Sequence, residues 1–488
     1  RNPRLGRRMS ARPSRCICSM LAAEVEERYA QLCADGLRIG AASIGAAEPD
    51  FRDPLPIILD THPSLPAAAR REIAAVRAAS DKEAPNASGI DPMLIDLIYG
   101  DWIAAVNASP RSIVFVSLLP YFMQLKIAKL LKVHGYDIFM LSVEPLQSRV
   151  RPLFAAEFGT IVNTGGSYRI IAQLLSRLQP DVVYVQCWMW YYFLARLCIE
   201  RVKDAKIVCD FYDLTSLYAP EEELCRAFPR DKIQFDVEME RFILENADLV
   251  VTRYPDFVNR HWTQSHGVSR PVLHFQAYPV SDFCRDRSDR ELGDPIRLVY
   301  AGGLTPASLP PDLFPEALMY RMFERILQQG ISVDVLDDPH RDTFGDMDVY
   351  RPYLELRDKY LNFRLMVGVT PDRLSDILQD YDFGILLADF TTAPTKISWA
   401  QRAGVFATKI HSYLEAGLPV IVNAEYLAMA KLVENNELGL AIASAEISTL
   451  RGRLDTMNYR RLALNVHEFR TVSCMGIMIH KLLNAIDD

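Results

Sequence analysis

In the stretch "HSYLEAGLPVIVN" (411–423) a helix-like run ends at Gly417, Pro419 blocks its continuation, and Val420 to Asn423 read as a strand. Glu415 falls in the last turn of that helix, where the macrodipole favours a cation. Lys409 stands six residues earlier, about 600° of helix, so the two side chains diverge by about 120°. They are placed to flank one extended ligand rather than to pair with each other. A lysine in an early turn suits a phosphate, which the unpaired N–H groups of a helix start also favour. A carboxylate suits the vicinal hydroxyls of a ribose. The competing reading is two solvated helix residues.

Other residues have the right types for a shared site. Gly302 and Gly303 end the strand-like "IRLVYAGG" (296–303), where glycine lets backbone come close to a ligand. Lys396 is a second candidate phosphate partner. Gln186 closes the strand-like "DVVYVQ", and Asp210 and Asp213 follow "KIVC", three residues apart. Either aspartate could orient a hydroxyl or take its proton. Asp213 reads equally well as a helix N-cap. "NTGGSYR" (163–169) reads as a turn and a helix start, and the aromatic "QCWMWYYF" (186–193) as packing. No Asp-x-Asp motif beside an apolar strand and no histidine cluster appears, so nothing calls for a metal or other cofactor.

These residues need rigid elements behind them. From residue 111 short apolar runs recur, each followed by a helix-length segment: 112–119, 137–143, 181–186, 206–211, 248–252 and 271–275. Such runs read as strands buried on both faces of a parallel sheet. Residues 276–295 are polar and Pro-bounded, a linker. The alternation then restarts at 296–303, 331–337, 363–368, 383–388, 419–423 and 439–443. The pattern predicts two doubly wound α/β domains, with the site in loops after strands. The expected divisions are a helical extension over 1–108, an N-terminal Rossmann-like domain over 109–280, a second over 281–457, and a helical segment over 458–488 that returns to the first. Helices are expected near 20–35, 68–79 and 91–106, and one helix over 404–417.

Bulk properties bound the function. The 488 residues carry a formal charge of −8, which gives no hint of a nucleic-acid partner. Nine cysteines include no Cys-x-x-Cys pair, which favours a reducing, cytoplasmic setting over a disulfide framework or zinc site. No apolar run reaches the ~18 residues of a membrane span. The opening "RNPRLGRRMSARPSR" holds six arginines. It reads as a tail, as sequence upstream of a start at Met9, or as a basic arm for the inner face of an anionic membrane.

"KIHSYLEAGLPVIV", followed by "ENNELGLAI" (434–442), resembles the donor-site region of GT-B glycosyltransferases, in particular glycosyltransferase family 4. "VFVSLLPYFMQLKIAKLLKVHGYDIFML", "QPDVVYVQ", "KIVCDFYDL", "ENADLVVTRYPDFV" and "RLVYAGGL" resemble further parts of that architecture, in order, over roughly 111–487. The resemblance implies a GT-B fold and a sugar moved from a nucleotide-diphosphate sugar to a hydroxyl acceptor on a glycan, lipid or protein. It makes Lys409 the diphosphate ligand and Glu415 the ribose ligand, beside Gly302, Gly303 and Gly417. Three departures stand out. "AGGLTPASLPPDL" (301–313) lacks the family's Arg and Lys; Ala407 stands where its first glutamate would be; and "SLLPYFMQ" lacks its glycine pair. Those departures suit a second reading, a non-catalytic GT-B-like binding or assembly subunit. A nucleotide-sugar epimerase is the third, and both enzyme readings require nucleotide binding.

Overall fold

The structure is a computed structural model that describes residues 92–340 and 344–488. The basic arm and the helices expected near 20–35 and 68–79 lie outside the described residues. Two parallel sheets organise the chain. The first comprises β1 (Ser112–Ser117), β2 (Asp137–Ser142), β3 (Ile161–Asn163), β4 (Val182–Cys187), β5 (Lys206–Phe211), β6 (Leu249–Thr252) and β7 (Leu273–His274). Its order is 3-2-1-4-5-6-7. The second comprises β8 (Arg297–Ala301), β9 (Ser332–Leu336), β10 (Phe363–Met366), β11 (Phe383–Leu386), β12 (Val420–Asn423) and β13 (Gly439–Ile442), in the order 10-9-8-11-12-13.

Every residue of β1 and β4 is buried, as their unbroken apolar sequence requires when helices cover both faces. In both sheets the order reverses beside the first strand, and ligands of open α/β sheets bind outside the carboxyl ends at such a point. β3 is a short edge strand that the sequence reading does not include; the expected loop 163–169 begins at its last residue.

Helix Pro92–Ala108, within the span expected as an extension, buries Ile95, Ile98, Tyr99, Trp102 and Val106 in the core of the first sheet. The Tyr99 hydroxyl donates to the Asn163 carbonyl at 2.9 Å. At the other end of the chain, helix Tyr459–Val472 packs on the second sheet through Tyr459 and Leu462. Helix Met475–Asp487 then buries Met475, Ile479, Leu482, Leu483 and Ile486 against the first. Lys206 Nζ donates to the carbonyls of Ala485 and Ile486 at 2.9 and 2.7 Å, a cation satisfying helix-terminal acceptors.

The single helix expected over 404–417 is instead two, Trp399–Gly404 and Lys409–Glu415. Gly404 lies against Tyr254, where a Cβ would meet the ring at 2.7 Å, and Val405 turns extended. Lys409 therefore occupies the first helical position. In a helix of only seven residues, the dipole there is weaker than that of a long helix, and the lysine charge counts for more.

Candidate functional site

A cavity opens between the two sheets. Its walls include Tyr121, Phe122 and Lys126 from the first half of the chain, Ala277 from the linker, and Gly302, Gly303, Asp338, Lys409 and Glu415 from the second. Each wall is held by local chemistry. After β1, where a glycine pair is missing, the Gln124 side chain accepts from the Tyr121 N–H at 3.2 Å and the Ser117 hydroxyl at 2.8 Å. This fixes the turn and sets Tyr121 at the head of helix Phe122–Val133. Across the cavity, the ring of Tyr413 is wedged over Gly384. Its hydroxyl accepts from the Ala301 N–H at 2.9 Å and donates to the Ile385 carbonyl at 3.2 Å. Helix Lys409–Glu415 is thereby locked to β8 and β11.

Lys409 lies directly over Gly302. That residue has φ 143°, and a Cβ placed on it would fall 2.0 Å from Lys409 Cε. The Lys409 ammonium sits 5.3 Å from the centre of the Tyr300 ring and forms no ion pair among the described residues. Gly302→Ala is expected to strain the backbone and push the lysine off its position. Its measurable sign is at least tenfold weaker binding of a nucleoside diphosphate, with the free nucleoside little affected. Equal affinity of variant and wild type for the diphosphate would contradict this.

Glu415 is 3% exposed. Oε1 accepts from the Lys126 ammonium at 2.7 Å and from the Val280 N–H at 2.8 Å. Oε2 has no hydrogen-bond partner among the described residues, and the residue lines the cavity. Burial pushes the carboxyl pKa up, while Lys126 and the Val280 amide oppose the rise. The Glu415 carbonyl accepts from the Arg285 N–H at 2.7 Å and from Arg470 Nη1 at 3.2 Å. The guanidinium of Arg470 thus meets the negative end of the helix, and the carboxylate ties that end to the linker and to the first sheet's helix. A solvated Glu415 does not fit this geometry. Next to it, His411 is neutral: burial and Lys126 lower its pKa to about 3, and its Nε2 lies 3.0 Å from Gln276 Oε1.

The other expected site residues fall elsewhere. Lys396 is not among the cavity's lining residues; its ammonium is half-exposed and pairs with Glu223 at 2.9 Å. Gly417, with φ 74°, caps its helix against Arg285 and Arg287 and is absent from the cavity wall. Gln186 and Asp210 are register partners on β4 and β5. Both are buried, off the cavity wall, and Asp210 Oδ2 accepts from the Tyr184 hydroxyl at 2.9 Å. Asp213 is partly exposed and is not a cap: the helix Thr215–Tyr218 has Leu214 at that position with no side-chain bond.

Burial raises the Asp210 pKa to about 7, against the opposing influences of Arg253 and Tyr184. The folded state therefore holds the Asp210 proton more tightly than the unfolded chain, whose carboxyl titrates near 3.8. Its stabilising effect is complete below about pH 4 and is lost as pH rises to 7. Asp210→Asn, which keeps an acceptor for Tyr184, should match wild type in denaturant stability at about pH 4 and exceed it by roughly 4 kcal/mol at pH 8. A gap that does not change with pH would show that Asp210 does not titrate this way.

Sequence reasoning missed Tyr121 and Lys126, which line the cavity. Tyr121 follows β1, where the carboxyl-end rule for parallel strands points. Lys126 gave no such signal.

Comparison with known proteins follows this geometry. Residues 333–486 match the family model described as glucosyltransferase 3-like, C-terminal domain. No curated protein sequence matches the chain. Among solved structures, sucrose-phosphate synthase from Thermosynechococcus elongatus is similar with a TM-score of 0.51 at 12% identity, covering 77% of this chain and 98% of that one. HepE of Anabaena, solved in complex with UDP-glucose, gives a TM-score of 0.53 at 13% identity over 77% of this chain and 99% of its own. At such identities the likeness is one of fold, and with the two switch-point sheets facing one cavity it is the GT-B fold.

Proposed function

We propose that the protein is a glycosyltransferase that moves a sugar from a nucleotide-diphosphate sugar to a hydroxyl acceptor on a glycan, lipid or protein. The observation that carries this reading is the placement of Lys409 and Glu415 at the two ends of one short helix lining the same cavity as Gly302 and Gly303. The block "KIHSYLEAGLPVIV" supports a family 4 type of donor site within that reading. In the reaction the acceptor oxygen bonds to the anomeric carbon as the bond from that carbon to the diphosphate breaks. The diphosphate keeps the electron pair, and the hydroxyl proton leaves to a carboxylate or to the departing phosphate.

Lys409 offsets the charge on the diphosphate, without a metal. Glu415 Oε2 accepts from ribose hydroxyls while Oε1 remains on Lys126. The Gly302–Gly303 turn lets backbone approach the leaving group. Asp213, partly exposed just after the carboxyl end of β5, is the group we assign to the acceptor hydroxyl. Asp210 and Gln186, buried register partners on β5 and β4, lie off the cavity wall and are given no direct contact with substrate. Closure of the cavity keeps water from the activated sugar. Among the described residues no helix is long and apolar enough to cross a membrane, and Cys187, Cys198 and Cys209 are buried free thiols. We place the reaction in the cytoplasm, with the basic arm as a contact to the inner membrane face.

A panel of nucleotide sugars tests the reading. UDP-glucose is its first member, because HepE was solved with that compound. Release of nucleoside diphosphate from one donor, lost in Lys409→Ala, is expected. Binding of none of them would leave the non-catalytic subunit.

A further inference from the structure

A diphosphate needs more positive charge than one lysine provides, and the loop after β8 has none to add: residues 301–313 contain neither Arg nor Lys. A buried cation does stand on the opposite side. Arg253 directly follows β6 and is 8% exposed. Its guanidinium lies 4.6 Å from the centre of the Tyr212 ring. Its Nε has no hydrogen-bond partner, and it forms no ion pair among the described residues. The carboxylate that feels its charge, Asp210, bonds Tyr184 through Oδ2, leaves Oδ1 without a partner among the described residues, and forms no ion pair with Arg253. A desolvated guanidinium without a contacting anion is costly, and a ligand anion would remove that cost.

Arg253 is not itself among the cavity's lining residues; two aromatic rings link it to the wall. The Tyr212 ring lies 6.0 Å from that of Tyr121, and Tyr121 shares the cavity wall with Lys409. Burial raises the Tyr121 pKa, and Lys409 and Arg253 both act against that rise, so both cations are felt at one phenol. We propose that Arg253 is the second cation of the diphosphate site, supplied across the cleft by the sheet opposite Lys409. This rests on the donor reading above and deepens it. Tyr254, the next residue, donates from its hydroxyl to Gln401 Oε1 at 2.7 Å and packs on Gly404. The strand end that carries Arg253 is therefore clamped to the second half of the chain. With that contact in place the two cations stand on opposite sheets, so a bound diphosphate would bridge them.

Calorimetry with UDP and with uridine, on wild type, Arg253→Gln and Arg253→Lys, tests this. In Arg253→Gln, UDP affinity should fall roughly 10- to 100-fold, the loss of one or two charge-assisted hydrogen bonds, with uridine changed less than about twofold. Arg253→Lys should lie between the two, since charge survives but the forked geometry does not. If Arg253→Gln does not fold, the same comparison on Arg253→Lys decides. Unchanged UDP affinity in a folded variant overturns the inference alone. So does an equal loss for UDP and uridine, which marks a purely structural arginine. Wild type that binds neither these compounds nor any other nucleoside diphosphate of the donor panel overturns the donor reading and this inference with it.

Discussion

Glu415→Gln is expected to cost both stability and nucleotide affinity, and the two losses should come apart in a double variant. The substitution keeps the shape of the side chain but leaves the Lys126 ammonium, 5% exposed, without its counter-charge. Breaking one side of such a buried pair costs about 3–5 kcal/mol, a large part of the stability of an ordinary domain. Replacing both charges avoids the unpaired ion, so Lys126→Met combined with Glu415→Gln should recover most of that loss in a denaturant titration. Affinity should not recover. The amide offers one acceptor where the carboxylate offered a charged one, and each ribose hydrogen bond to the charged group contributes about 1.5–3 kcal/mol. A stable double variant that binds uridine as wild type does would assign Glu415 to the domain contact alone.

Removal of residues 475–488 is expected to prevent folding. Helix Met475–Asp487 is the last element of the chain, yet five of its apolar side chains are buried in the core of the first sheet. At about 1.5–3 kcal/mol for each fully buried side chain, the truncation forfeits of order 7–15 kcal/mol, an upper estimate that matches the whole stability of a typical protein. The same cut removes the Met475 N–H that donates to the Pro279 carbonyl at 2.7 Å, beside the Val280 amide that holds Glu415. The truncated chain should be insoluble or lack a cooperative thermal transition. A soluble product with a wild-type melting curve would show that the helix is dispensable.

The two sheets were legible because their strands are buried on both faces, and burial of that kind writes continuous apolar runs into the sequence. "SIVFVS" and "FGIL" could hardly be anything else between helix-length segments. β3 left no such run: three residues at a sheet edge are too few to set a pattern. The break at 405–408 was hidden because its cause is tertiary, the close approach of Gly404 to Tyr254 and Val258. The same holds within the site. Gly302 and the Lys409–Glu415 helix could be picked out by type and spacing. Lys126 could not, since in "LKIAKLLKV" it reads like Lys129 and Lys132 as part of a solvated face. Only its distant partner Glu415 makes it buried. Lys396 misled for the opposite reason: its type suits a phosphate, but Glu223 takes its charge on the surface.

The central claim is that Lys409 and Glu415 bind the two ends of a nucleoside diphosphate. Titration of wild type and Lys409→Ala with UDP and with uridine tests it most directly. Wild type should bind UDP more tightly than uridine, and Lys409→Ala should lose that advantage, by about tenfold or more, while holding uridine as before. A Lys409→Ala protein that is folded and still prefers UDP by the wild-type margin would contradict the account.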